Sequence, residues 1–146
     1  MLYHSHQIKD YKYIFIPGFI SSIENAPDGK KKIGLQTVME NKAIIESHPG
    51  LKLVLDPTHA LVNSIMPKDF LVLKNYIIGV QLSGIGRIGG NSTDHLSLLN
   101  TPKNILETIR PLLNLDTTFI IESVFKTVDK KQFNDEINFI KNKFYM

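Results

Sequence analysis

The chain contains no cysteine. Disulfide staples, thiolate nucleophiles and cysteine-ligated zinc are therefore excluded. Long apolar runs are also missing, since nothing approaches the roughly 20 consecutive apolar residues that a membrane-spanning helix needs. Neither sign of charge dominates: 17 Lys+Arg stand against 14 Asp+Glu, for a formal charge of +3. That balance tolerates a nucleic-acid partner without arguing for one. No G-x-S-x-G, H-E-x-x-H or Walker-type loop occurs, which leaves serine hydrolases, zincin proteases and P-loop NTPases without support. Met1 to Tyr13 carry His4, His6, Lys9, Asp10 and Lys12 in place of the apolar core of a secretory leader. A soluble, cytoplasmic protein with no membrane contact is the expectation.

What is present is a chain of 146 residues that is 42% hydrophobic, enough for one ordinary core. No linker, charge block or repeat interrupts it, so a single domain over 1–146 is expected, with 1–12 mobile. Short apolar runs alternate with helical patterns, which points to βα units around a parallel sheet. The runs are Tyr13–Ile16 with Phe19–Ile23, then Leu51–Leu55, Ile77–Leu82 and Phe119–Ile121. They predict an α/β fold of about four parallel strands with helices outside. Their near-continuous apolar character suits strands covered on both faces.

Between the runs, Leu35, Val38, Met39 and Ile45 recur at helical spacing until His48-Pro49-Gly50. Thr101-Pro102 resembles an N-cap with proline at the first helical position, leading to a stop near Pro111. Asp129 with Gln132 resembles the cap of a last helix burying Phe133, Ile137, Ile140 and Phe144. Pro67 is expected to break or restart any helix between Ala60 and Leu73.

Each run ends in a polar group: Glu24-Asn25, Asp56-Pro57-Thr58-His59, Gln81-Leu82-Ser83 and Glu122-Ser123. Ligands of parallel α/β sheets and barrels bind at the carboxyl ends of strands. Glu24, Asp56, Gln81 and Glu122 would there form an oxygen-rich set suited to Mn²⁺ or Mg²⁺, and less specifically to Zn²⁺. The competing use of a strand-end carboxylate is as a helix N-cap or a surface turn.

These residues carry a resemblance. Leu53-Val54-Leu55-Asp56-Pro57-Thr58-His59-Ala60 resembles the sixth-strand motif of the xylose-isomerase-like superfamily, which holds sugar isomerases and epimerases together with the endonuclease IV family. Ile23-Glu24-Asn25 is similar to the fifth-strand Glu-Asn, and Ile120-Ile121-Glu122 to the last-strand glutamate. Gln81 stands where the seventh strand usually offers a His, and Thr93-Asp94-His95-Leu96 resembles the segment that follows. The resemblance implies the C-terminal half of a TIM barrel. In the isomerase branch it implies a divalent metal on Glu24, Asp56, Gln81 and Glu122. Glu24 and Glu122 would also exchange a substrate proton, and His59 and Arg87 would hold hydroxyls of a small sugar or hydroxy-carbonyl substrate. His95 is a further candidate.

The endonuclease IV branch implies three zinc ions and an abasic-site DNA partner. Gln81 and Thr93 replace two of its ligands, so the isomerase branch ranks first. A third reading is a non-catalytic assembly subunit whose site has decayed. Eight-stranded barrels run to about 250 residues. A homo-oligomer, or a subunit supplying the other half-barrel, is accordingly expected. Gly84-Ile85-Gly86-Arg87-Ile88-Gly89 matches G-x-G-x-x-G, but no helix start follows at once, as a dinucleotide site requires. Lys30-Lys31-Lys32, His4 and His6 read as solvated, and His48 as a helix-end residue.

Overall fold

The structure, a computed structural model, describes residues 2–3, 22–25, 35–89, 95–123 and 130–144. Among the described residues five strands form one parallel sheet: β1 (Leu2–Tyr3), β2 (Ser22–Glu24), β3 (Lys52–Leu55), β4 (Ile77–Leu82) and β5 (Thr118–Ile121). Their spatial order follows the chain order without reversal. That sequential order belongs to barrels, whereas a doubly wound sheet reverses at a switch point. Four strands were expected; the additional two-residue β1 pairs with β2 through Leu2↔Ser22 and Tyr3↔Ile23. The predicted run at 13–21, together with Lys30–Lys32, His4, His6, Thr93, Asp94 and Asp129, lies outside the described residues.

Helix α1 (Val38–Ser47) starts at a capping box. The Thr37 hydroxyl accepts from Glu40 N at 3.2 Å, and Glu40 Oε2 accepts from Thr37 N at 2.8 Å. It ends at His48, whose ring lies 3.0 Å from the Ile44 carbonyl, in keeping with a helix-end role. Met39, placed on the periodic apolar set by its spacing, is 70% exposed. Helix α2 (Pro57–Val62) is followed by a 3-10 segment (Pro67–Leu73) that restarts at Pro67, where the missing N–H costs nothing. Helix α3 (Lys103–Ile109) begins one residue later than expected, with Pro102 at the N-cap. Thr101 does not cap it; its hydroxyl instead accepts from Ile85 N at 3.2 Å. As expected, α3 stops near Pro111, ending at Ile109, and the chain continues as a 3-10 segment (Arg110–Asn114). In helix α4 (Lys130–Phe144), Ile140 is buried as expected, but Phe133 is 43% exposed.

Strand register separates the two faces of the sheet. Glu24 pairs with Val54, two residues before Asp56. Leu55 pairs with Val80, so one further step sets Asp56 beside Gln81. Gln81 pairs with Ile120, two residues before Glu122. Offsets of zero or two keep all four polar side chains on one face, because side chains alternate with period two. The climbing stagger is what the tilted strands of a barrel require.

The other face is apolar. Ile23, Leu53, Leu55, Val80 and Leu82 join one core cluster with Leu61, Phe70, Ile109 and Leu112 from the helical layer. Phe119 and Ile121 of β5 pack against it. Full burial of one such side chain contributes about 1.5–3 kcal/mol, so the helix-facing layer carries most of the stability. The strands are not covered equally. Ser22, Val54 and Gly79 on the polar face are buried, whereas Thr118 and Ile120 are exposed, Ile120 by 40%. Among the described residues β5 pairs only with β4, leaving one edge of the sheet open there.

Beyond β4 the chain is held by an antiparallel bridge between Gly84 and Leu96. A Cβ on Gly84 would lie 2.3 Å from Thr101 Oγ1 and 2.4 Å from the Ser97 carbonyl oxygen. The glycine of the G-x-G-x-x-G match therefore serves close chain packing, and the residues just after it form bends rather than a helix. Gly84→Ala is expected to destabilise the fold by about 1–3 kcal/mol or more through overpacking. Gly86→Ala, whose nearest neighbour is Leu96 Cδ1 at 3.9 Å, is expected to be near neutral. Urea unfolding of the two variants checks this; equal midpoints would refute the packing role.

Candidate functional site

The site is built from strand ends stitched together by backbone. Asn25 Nδ2 donates to the Asp56 carbonyl at 2.8 Å, and Asp56 N donates to Asn25 Oδ1 at 2.6 Å. One buried amide side chain thus fixes the end of β2 to the end of β3. The Thr58 and Ser83 hydroxyls, 2.9 Å apart, tie the start of α2 to the end of β4. Glu122 N donates to the Leu82 carbonyl at 2.9 Å, continuing the β4–β5 ladder to the carboxylate.

Asp56 combines the two uses open to a strand-end carboxylate. Its Oδ1 caps α2, accepting from Thr58 N at 2.7 Å and His59 N at 3.2 Å. Its Oδ2 is buried and lies 3.4 Å from His59 Nε2. Glu24, Asp56 and Glu122 each offer an oxygen to a group whose atoms all lie within 4.8 Å of one another. Asp56, His59 and His95 form a second such group. Two full negative charges at that distance repel by about 3–4 kcal/mol at an effective dielectric near 20, so the cluster demands a counter-charge.

In the chain alone His59 supplies it. Its Nδ1 donates to the Asn25 carbonyl at 2.8 Å and lies 3.2 Å from Glu24 Oε1. Burial works against the charged ring, but the Glu24 hydrogen bond, the Asp56 charge and the Asn25 carbonyl outweigh it, and the pKa rises to about 9. Asp56 is pushed up, chiefly by burial and then by Glu24, with His59 and the backbone N–H donors opposing. Glu122 is pushed up by burial, then by Asp56 and Glu24, with the two histidines opposing. The His59 and His95 rings meet edge to face, with centroids 5.4 Å apart, and His95 Nδ1 lies 3.8 Å from Glu122 Oε2.

The structure brings together Glu24, Asp56, Glu122, His59 and His95, and sets Gln81 on the same sheet face. Arg87 is exposed on the bend after β4, where Gly89 N donates to the Leu61 carbonyl. Residues can be matched to a metal through their unsatisfied oxygens. Asp56 Oδ2, Gln81 Oε1 and Glu122 Oε2 are buried and accept no hydrogen bond from any described residue. Buried acceptors normally have a partner, and three oxygens from carboxylate and amide groups suit a hard divalent cation. The donor set fits such an ion.

Sequence reading overlooked three contributors. Asn25 entered only as part of a motif. Ser123 and Glu136 were not singled out, although an acid four residues before Ile140 on the apolar side of α4 is a visible anomaly.

Fold and site together define an α/β chain with the sequential parallel sheet of a partial TIM barrel and a polar cluster at the carboxyl ends of its strands. A solved structure with the same fold is the probable 3-DHS dehydratase AsbF, involved in petrobactin synthesis, from Bacillus anthracis. The two superpose with a TM-score of 0.64 at 19% identity, over 83% of this chain and 48% of that one. The chain thus spans about half the length of that structure. No protein-family model and no curated protein matches the sequence. Among the described residues no helix is long and apolar enough to cross a membrane.

A sign follows for pH. His59, Asp56 and Glu122 all have folded pKa values above their ordinary ones, so the folded chain binds more protons than the unfolded chain. The His59 contribution is fully present below about 6.5 and is lost as pH rises through about 9. With chelator present, the melting temperature is expected to fall between pH 6.5 and 9, and to fall less steeply in His59→Gln. A melting temperature that rises over this window would refute the assignment.

Proposed function

We propose that this chain belongs to a cytoplasmic, divalent-metal-dependent isomerase or epimerase acting on a small sugar or similar hydroxy-carbonyl compound. The observation that carries the reading is the convergence of Glu24, Asp56 and Glu122 at one end of a parallel sheet, with Gln81 on the same face. A non-catalytic scaffold whose site had decayed would have no reason to keep three repelling carboxylates within 4.8 Å. Glu24, Asp56, Gln81 and Glu122 would hold the ion, Mn²⁺ or Mg²⁺ being the hard cations their oxygens suit. Bound there, it supplies positive charge against the oxygen anion that develops when a carbonyl compound loses its α-proton.

The chain's own residues divide the remaining work. Glu122, 31% exposed at the side chain and raised in pKa by burial and then by its acidic neighbours, is the carboxyl group a substrate reaches and is assigned to proton transfer. Glu24 is buried and lies 3.2 Å from His59 Nδ1, which restricts its orientation, and it is assigned as the second carboxylate in the proton transfer. Return of the proton by the second carboxylate to the opposite face of the same carbon gives epimerisation; return to the neighbouring carbon, with the hydroxyl proton passing to the former carbonyl oxygen, gives isomerisation. His59 and Arg87 are assigned to substrate hydroxyls, His59 from the floor of the cluster and Arg87 from the bend above β4.

The name of the solved neighbour, a probable dehydratase, favours one second reading. Removal of an α-proton is equally the first half of a dehydration, in which a β-hydroxyl then leaves. The endonuclease IV-like alternative, with Zn²⁺ and abasic DNA, draws no comparable support, since Gln81 stands at one of its ligand positions.

Incubation of candidate sugars with the Mn²⁺-loaded protein in deuterated water tests the proposal. Deuterium is expected at the carbon beside the carbonyl, with no loss of water from an isomerase substrate. Glu122→Gln is expected to slow exchange by about 10²–10⁴-fold. Exchange unaffected by Glu122→Gln would reject the role, and loss of a hydroxyl would favour the dehydratase reading.

A further inference from the structure

Glu136 on α4 is a carboxylate that the proposed chemistry does not use, and it is completely buried. Its Oε1 accepts from Leu98 N at 2.5 Å and from the Ser123 hydroxyl at 2.9 Å. Those two donors sit at sensitive places. Ser123 directly follows Glu122, and Leu98 begins the 3-10 turn (Leu98–Asn100) three residues after His95. One oxygen atom therefore joins the segment carrying His95 to the segment carrying Glu122.

The His95 segment needs such an anchor. His95 has φ of +53°, a left-handed conformation that costs a side-chain-bearing residue energy and persists only where its surroundings impose it. On its C-terminal side the chain is fixed by the Gly84–Leu96 bridge, by Thr101 on Ile85 N, and by Glu136 on Leu98 N. The first two bind the segment to the end of β4. Glu136 alone among these contacts also reaches the end of β5. His95 and Glu122 are the two more open members of the cluster, with side chains 28% and 31% exposed and 3.8 Å between Nδ1 and Oε2. The His95 ring also meets the His59 ring edge to face, and Glu122 N is held by the Leu82 carbonyl, but neither contact joins the two segments to each other.

We infer that Glu136 is a positioning residue, which sets the spacing of His95 and Glu122 across the site by bridging Leu98 N and the Ser123 hydroxyl. It touches neither substrate nor ion. Groups that orient ligands in this way are charge-assisted acceptors with fixed geometry, and their loss typically lowers metal affinity by about 10–100-fold. The inference rests on reading the cluster as a metal site, but its geometric content does not.

Two readouts keep those apart. Long-range ¹H–¹⁵N correlation spectra of the metal-free protein report the His95 ring, and Mn²⁺ calorimetry reports the cluster. Glu136→Ala is expected to move the His95 ring resonances and weaken Mn²⁺ about tenfold or more. Glu136→Gln, which keeps an acceptor oxygen, is expected to restore most of both. Ser123→Ala, which deletes one arm of the bridge from a half-buried position, is expected to give a smaller change in the same direction, and serves should Glu136→Ala not fold. Ile140→Ala is the control that loosens the same helix through apolar packing. If it moves the His95 resonances as far as Glu136→Ala or Ser123→Ala does, or if those two leave His95 where it was, the positioning role is overturned. Shifted His95 resonances in a protein that binds no Mn²⁺ would uphold the role and reject the metal reading.

Discussion

Three carboxylates crowded against one another at the end of a parallel sheet are the constraint on which the rest of this structure turns. Glu24, Asp56 and Glu122 repel, and burial sharpens the repulsion by removing water. The fold tolerates the arrangement because each backbone segment is tied down independently of the carboxylates. Asn25 locks β2 to β3, the hydroxyl pair Thr58–Ser83 locks α2 to β4, and Glu122 N extends the β4–β5 ladder. His59 then neutralises part of the charge. Apolar residues of similar size at these positions would stabilise the fold more.

The two faces of the sheet divide stability from chemistry. Leu53, Leu55, Val80 and Leu82 face the helices and form the core, while the alternate positions carry Glu24, Asp56, Gln81 and Glu122. A shift of one residue in any strand would exchange the two sets. Register is therefore enforced by apolar burial on the helix side, and the polar set inherits its alignment. At β5 the polar face opens, with Thr118 and Ile120 exposed and no further strand paired beyond β5 among the described residues.

Much of this was legible in the amino-acid order. Ile77–Leu82 is a strand with those bounds, and Leu51–Leu55 and Phe119–Ile121 miss by one residue each, because β-branched and leucine-rich runs between turn residues have few alternatives. Of the polar residues at the ends of the runs, Glu24, Asp56 and Glu122 are brought within 4.8 Å of one another. Helix ends were read less well. Thr101-Pro102 has the look of a cap, but the Thr101 hydroxyl is drawn to Ile85 N by a tertiary contact that local sequence does not encode. Phe133 fits the apolar period of α4, yet the buried positions include Glu136, held by donors 13 and 38 residues away. Long-range partners of this kind are invisible to periodicity.

The central claim is that the carboxylate cluster is completed by a divalent cation. Calorimetric titration of the chelator-treated chain with Mn²⁺ at pH 7, in two buffers of different ionisation enthalpy, tests it most directly. One binding event accompanied by release of about one proton or more is the result the account predicts, because His59 is protonated in the chain alone and a cation displaces its need for that charge. No binding at millimolar Mn²⁺, or binding that Asp56→Asn leaves unchanged, would contradict it.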